Sequence, residues 1–203
     1  MKVLMVDMDG VLVNGRPTDG LPYFTDIEHD LGLPLERLQK EFFAVYWPQI
    51  IIGEKPIEPA LTTVLSKIAP HLETETLLRY WFENDSRLDE KLLADLSLLR
   101  KSGISIYLAT NQEHRRAAWL MNELGLSEHV EDIFYSAKLG CKKPGEQFFR
   151  MATESAGVAA SEIAFIDDSG ENIEAARRYG WQAVQWKSGM TLKEALEIGQ
   201  QVQ

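Results

Sequence analysis

Four stretches of this chain set ionisable or polar side chains at the ends of apolar runs or at a proline-fixed corner. In Val3-Leu4-Met5-Val6-Asp7-Met8-Asp9-Gly10 an apolar run stops abruptly at two acids and a glycine. Phe165-Ile166-Asp167-Asp168-Ser169-Gly170-Glu171-Asn172 repeats that pattern. Unpaired charges are costly to bury, so paired acids at a strand end need a purpose. For Asp7 and Asp9 the plain alternative is one acid capping a turn and the other solvated, whereas for Asp167 and Asp168 a helix cap accounts for one acid and leaves the pair unexplained. A third run ends in Leu108-Ala109-Thr110-Asn111. Thr110-x-x-Glu113 fits a capping box, and the same hydroxyl beside the free N–H groups of a helix start suits a bound phosphate. Last comes Lys142-Lys143-Pro144-Gly145. Lys142 reads as an ordinary surface lysine. Pro144 biases Lys143 toward extended backbone and suits a first helical position, which places the Lys143 cation at a defined corner.

The elements needed to bring these groups together can be read along the chain. Val3 to Val6 has the continuous apolar character of a strand buried on both faces. Residues 11–20 turn polar and glycine-rich, as in a flap and linker. From Leu21 to Asn84 the apolar spacing is helical. Phe24, Ile27 and Leu31 mark one helix, stopped at Gly32. A second opens at Pro34 and closes at Pro48, a third carries Ala60 to Ile68, and a fourth follows Thr74. Ser86-x-x-Asp89 resembles a capping box ahead of Leu88, Leu92, Leu96 and Leu99. Strands at 104–109, 133–135, 163–166 and 182–186 then alternate with helices at 113–124, 147–155, 172–179 and 192–198. That alternation predicts an α/β fold, a doubly wound parallel sheet interrupted after its first strand by a helical insertion. In such sheets ligands bind at the carboxyl ends of the strands, where all four stretches are expected.

Bulk properties narrow the partners. The 203 residues, 45% hydrophobic and 26% charged, are ordinary for a globular chain, and the net charge is −10. Such an acidic chain repels nucleic acid and anionic membranes unless a basic patch is concentrated somewhere. Only short basic groups such as Arg115-Arg116 occur. No apolar segment approaches membrane-spanning length. The single cysteine, Cys141, has no internal partner, which fits a reducing compartment. With no signal-peptide pattern at the N-terminus, the expectation is a soluble cytoplasmic protein, a monomer or weak homodimer.

In order and spacing these stretches resemble the haloacid dehalogenase superfamily, and more closely its phosphatase-like subfamily IA. The resemblance rests on Asp7-Met8-Asp9-Gly10-Val11-Leu12, Ala109-Thr110-Asn111, Lys143-Pro144, and Ile166-Asp167-Asp168-Ser169 with Asn172 and Ala175-Ala176. It implies a Rossmann-like core made of residues 1–15 and 87–203, with a helical cap at 16–86. It also implies a Mg²⁺-dependent phosphatase acting on a small phosphorylated substrate through an aspartyl-phosphate. Asp7 is then the nucleophile and Asp9 the general acid and base, while Thr110, Asn111 and Lys143 hold the phosphoryl group. Asp168 ligates Mg²⁺ with Asp7 and the Asp9 carbonyl. Asp167 stands where many relatives have glycine, so a supporting role beside Asn172 is implied, with Asp167 pairing Lys143.

A hard divalent cation suits such an oxygen-rich cluster, and no His or Cys cluster suggests zinc. Asp9 speaks against dehalogenation, because a carbon–halogen bond has no leaving oxygen to protonate. A phosphomutase and a non-catalytic binding module remain alternatives. In the insertion, which holds nine of the nineteen aromatics, Arg16 and Lys55 are expected to face substrate.

Overall fold

The computed structural model describes residues 1–201. Positions 202 and 203, the last two of the expected core segment, lie outside the described residues. Val3–Val6 forms β1, with all four side chains buried. The chain then turns, with Val11, Leu12 and Val13 folded back into the core, so the expected flap is anchored rather than free. Helices follow: α1 at Ile27–Leu31, α2 at Leu35–Leu38, α3 at Trp47–Ile50, α4 at Ile57–Ile68, α5 at Thr74–Asn84 and α6 at Glu90–Lys101. The alternating part comprises β2 (Ser105–Thr110), α7 (His114–Asn122), β3 (Asp132–Tyr135), α8 (Ser136–Leu139), α9 (Glu146–Ala156), β4 (Ile163–Asp167), α10 (Gly170–Tyr179), β5 (Gln182–Gln185) and α11 (Leu192–Gln201).

The five strands form one parallel sheet in the order β3-β2-β1-β4-β5. Successive residues of β1 face opposite sides, as strand geometry requires. Leu4 and Val6 join an apolar cluster with Leu92, Leu96 and Leu120. Val3 and Met5 join Phe148, Phe149 and Trp181 on the other face. A third cluster lies within the insertion, built from residues such as Phe24, Phe42, Leu61, Leu78 and Trp81. Val6 pairs with Leu108 on one side and Ile166 on the other. That register sets Asp7 level with Ala109 and Asp167, beside the crevice where strand order reverses.

Local chemistry departs from expectation in several places. Pro48 opens a helix instead of closing one: after α2 the chain makes a wide π-type turn at Gln39–Phe43, and Pro48 occupies the first turn of α3. A proline there gives up no helical hydrogen bond. The cap of α6 is Asp89, whose carboxylate accepts from Leu92 N at 2.9 Å, while Ser86 donates back to Glu83. At α7 the cap is Glu113, which accepts from the N–H groups of Arg115 and Arg116, so Thr110 is free of capping and ends β2. Gly145 caps α9, so Pro144 lies before the helix instead of in its first turn.

The insertion touches the sheet domain at identifiable points. Ser136 Oγ donates to the Ile51 carbonyl at 2.5 Å. Gly53 has φ +77°, and a Cβ there would overlap the Ala137 carbonyl, so only glycine permits this approach. Arg115 bridges from α7 to Glu58 on α4 and Glu75 on α5, at 2.6 and 2.9 Å. These pairs are solvent-exposed and contribute at most about 1 kcal/mol each. Arg116, buried, donates to the Phe82 carbonyl at 3.1 Å and to Asp85.

Candidate active site

Lys143 is the centre of the arrangement. The residue is 2% exposed; its ammonium lies 2.9 Å from Asp7 Oδ1 and 2.5 Å from Asp167 Oδ2, and it donates to the Ala109 carbonyl at 2.7 Å. All three N–H donors therefore have acceptors. Burial works against the Lys143 charge, but Asp7 and Asp167 outweigh it and hold the ammonium above its ordinary value. The corner that carries it is fixed by Asn111. The Asn111 side-chain amide donates to the Lys143 carbonyl at 3.0 Å and accepts from the Lys143 N–H at 2.9 Å. The Asn111 side chain is thus engaged by backbone.

The two acids after β4 divide their work. Asp167 is fully buried, and its oxygens accept from Lys143, Asn172 Nδ2 and the Ser169 N–H. Asp168 is exposed, and its carbonyl accepts from Gln185. The Asp168 carboxylate packs against Gly10, where φ is +80° and any Cβ would overlap it. Carboxylate oxygens of Asp7, Asp167 and Asp168 lie within 4.8 Å of one another. With Asp167 occupied by donors, Asp7 and Asp168 are the two acids open to a further positive partner.

Burial pushes the Asp7 carboxyl up to about 7, with Lys143 pulling it down and Asp167 adding to the rise. Asp168 is raised by partial burial and by Asp167. Asp9 opens onto a cavity of about 730 Å³ but is hemmed in by protein, and that enclosure raises its carboxyl against the pull of Arg116, Gln112 and Lys143. Gln112 Nε2 donates to Asp9 Oδ2 at 2.6 Å.

Asp7, Thr110, Lys143, Asp167 and Asp168 meet at the carboxyl edge of the sheet, with Asp9, Asn111 and Asn172 beside them. Arg16 and Lys55 do not join this site. The Arg16 guanidinium is buried and bound to Asp19 and to Asp26, the latter at 2.5 Å, so its charge is already paired, and it does not line the cavity. Lys55 is exposed over the Tyr46 ring, 5.8 Å from its centroid, and does not line the cavity.

Gln112, Arg116, Arg87 and Lys142 do line it. Gln112 follows Thr110 by two positions in the same strand-end loop, a signal that was available in the sequence. Arg116 depends on Asp85, far away in the chain, and no local pattern announces that partnership. Lys142 looks identical in sequence to any surface lysine.

A family model for haloacid dehalogenase-like hydrolases matches residues 1–180. Among curated relatives, the chain is 34% identical to a phosphoglycolate phosphatase from Neisseria gonorrhoeae over 45% of its own length. That match spans only 39% of the Neisseria enzyme. Phosphatase MT3486 from Mycobacterium tuberculosis is 25% identical, over 90% of this chain and 86% of that protein. The solved HAD-family enzyme BT-2542 from Bacteroides thetaiotaomicron superposes with a TM-score of 0.80 at 20% identity, covering 97% of this chain and 98% of that one. That likeness speaks to fold alone. The Bacteroides enzyme has also been solved in complex with magnesium and inorganic phosphate.

Proposed function

Because the chain belongs to the haloacid dehalogenase-like hydrolase family, we propose that it hydrolyses a small phosphate monoester, using Asp7 as the nucleophile. The observation that carries this reading is the set of acids gathered around one buried cation at the edge of the sheet. Asp7, Asp167 and Asp168 share a 4.8 Å cluster, and Lys143 bridges Asp7 and Asp167. The phosphatase names of the relatives support the same reaction. Residues 16–86 act as a cap over a core made of 1–15 and 87–203.

The residues fit a divalent cation. Their donor set is all oxygen, and Asp168 is exposed beside Asp7. Asp7, Asp168 and the Asp9 carbonyl would hold Mg²⁺, which would neutralise phosphate charge among acids that otherwise repel it. The remaining work belongs to side chains. An oxygen of Asp7 attacks phosphorus, the phosphorus–oxygen bond to the alcohol breaks, and an aspartyl-phosphate forms. Asp9 gives its proton to the departing alcohol oxygen and later takes one from the attacking water. Its raised proton affinity suits the first duty. Thr110 steadies the phosphoryl oxygens, and Lys143 joins it by turning the N–H that faces Asp7 toward the phosphoryl group as Asp7 bonds to phosphorus, while Asp167 and the Ala109 carbonyl keep its other two donors. Gln112 holds the Asp9 carboxylate in place, and Asp167 with Asn172 and Asn111 fixes Lys143.

The test is metal dependence, resolved by residue. Hydrolysis of a generic aryl phosphate is expected to need Mg²⁺ and to stop in chelator. The Mg²⁺ affinity should fall about 10- to 100-fold in Asp167→Asn, which removes a group behind the ligands, and further still in Asp168→Asn, which removes a ligand. Titration of each variant with Mg²⁺, read by melting temperature, measures this without turnover. Full activity after exhaustive metal removal would overturn the cation's role, and a larger affinity loss in Asp167→Asn would exchange the two acids.

A further inference from the structure

The cavity above Asp9 is far larger than a phosphoryl group and a short acid or sugar require. Its volume of about 730 Å³ falls in the upper part of the range of about 300–1,000 Å³ found for pockets that take whole cofactors or drug-sized ligands. Its floor carries Asp9, Gly10 and Asn111, so the leaving alcohol of any substrate attacked at Asp7 extends into it. The wall contributed by the insertion is aromatic: Tyr23, Phe43 and Trp47, all half-buried, with Trp81 behind them. These rings pack edge and face on one another, Tyr23 stacking on Trp81 at 5.9 Å and Phe43 meeting Trp47 at 5.4 Å. Arg87 and Lys142 stand exposed among the lining residues.

Asn14, Asp85, Gln112 and Arg116 line the cavity away from these rings, but a polyol or a short carboxylate laid against the aromatic wall itself would lose water and find few hydrogen-bond partners there. A planar ring would gain stacking contact and lose little. Two cations suit the anionic state of a phosphate ester entering an otherwise acidic molecule. We propose that the preferred substrate is a phosphate monoester whose alcohol carries a planar aromatic ring, of the kind found in a nucleoside 5′-monophosphate. The ring is held by Tyr23, Phe43 and Trp47. This inference rests on the hydrolytic reading above and adds the leaving-group class.

The direct comparison is between two probes that differ by the ring alone, ribose 5-phosphate and adenosine 5′-monophosphate. The expected result is a kcat/KM about tenfold higher for the nucleotide. Trp47→Leu and Tyr23→Leu should each narrow that ratio by about fivefold, and Trp47→Phe should keep most of it. Equal kcat/KM for the two probes, or a ratio untouched in both leucine variants, would overturn the proposal. A second arm needs no turnover: calorimetry of adenosine against ribose with the wild-type protein. Adenosine binding without ribose binding supports the ring site, and absence of adenosine binding overturns it. Failure of both phosphates to hydrolyse would count against the phosphatase reading, with the calorimetric arm still deciding the ring site.

Discussion

Asp7→Asn is expected to abolish turnover of phosphate monoesters, lowering kcat on the order of 10⁵-fold or more while leaving the fold intact. The amide keeps the shape of the carboxylate and can still accept from Lys143, which retains Asp167 and the Ala109 carbonyl as partners. What it loses is the nucleophile. Burial already pushes the metal-free Asp7 carboxyl up to about 7, so removing its charge costs the folded state little. Phosphate release and a thermal melt on the same preparation separate the two effects. Residual activity above about one per cent would assign the attack to another group.

Lys143→Met is expected to damage both activity and stability. It leaves Asp7 and Asp167 facing each other in the interior with their shared cation removed. Breaking a buried pair from one side costs about 3–5 kcal/mol. For a chain of this size that corresponds to a fall in melting temperature of about 6–20 °C. The deficit should shrink as the pH falls, because protonating Asp7 removes uncompensated charge. A double variant, Lys143→Met with Asp167→Asn, should recover much of the stability and none of the activity. A single variant that melts at the wild-type temperature would contradict the coupling drawn here.

The fold was legible because its signals are local. Each strand of the sheet is a short apolar run, and β1 is apolar throughout because both its faces are covered. The paired acids were legible for a related reason: a charge directly after such a run must sit at the sheet's edge. Arg16 shows the limit. Its neighbours in sequence, Asp19 and Asp26, fold back onto it, and no spacing rule distinguishes a cation spent on its own loop from one held for a ligand. Glu113 shows another, since a side chain three residues past Thr110 turned out to be the cap itself. The wall of the cavity was hidden for a different reason. Tyr23, Phe43 and Trp47 are spaced like residues of a helical core, which they partly are, and only their assembly shows that the same rings also line the cleft.

The central claim is a phosphoryl group held covalently on Asp7, and Asp9→Asn offers the most direct view of it. Nitrophenolate leaves without a proton, so this variant still completes the first half-reaction on nitrophenyl phosphate. The second half requires a base to deprotonate water, and the amide is none. Rapid mixing should therefore give a burst of about one equivalent of nitrophenol per protein, followed by slow turnover. Acid quenching during the burst should place one phosphoryl group on the peptide containing Asp7. A steady rate with no burst and no phosphorylated Asp7, or a phosphoryl group found on another residue, would contradict the account.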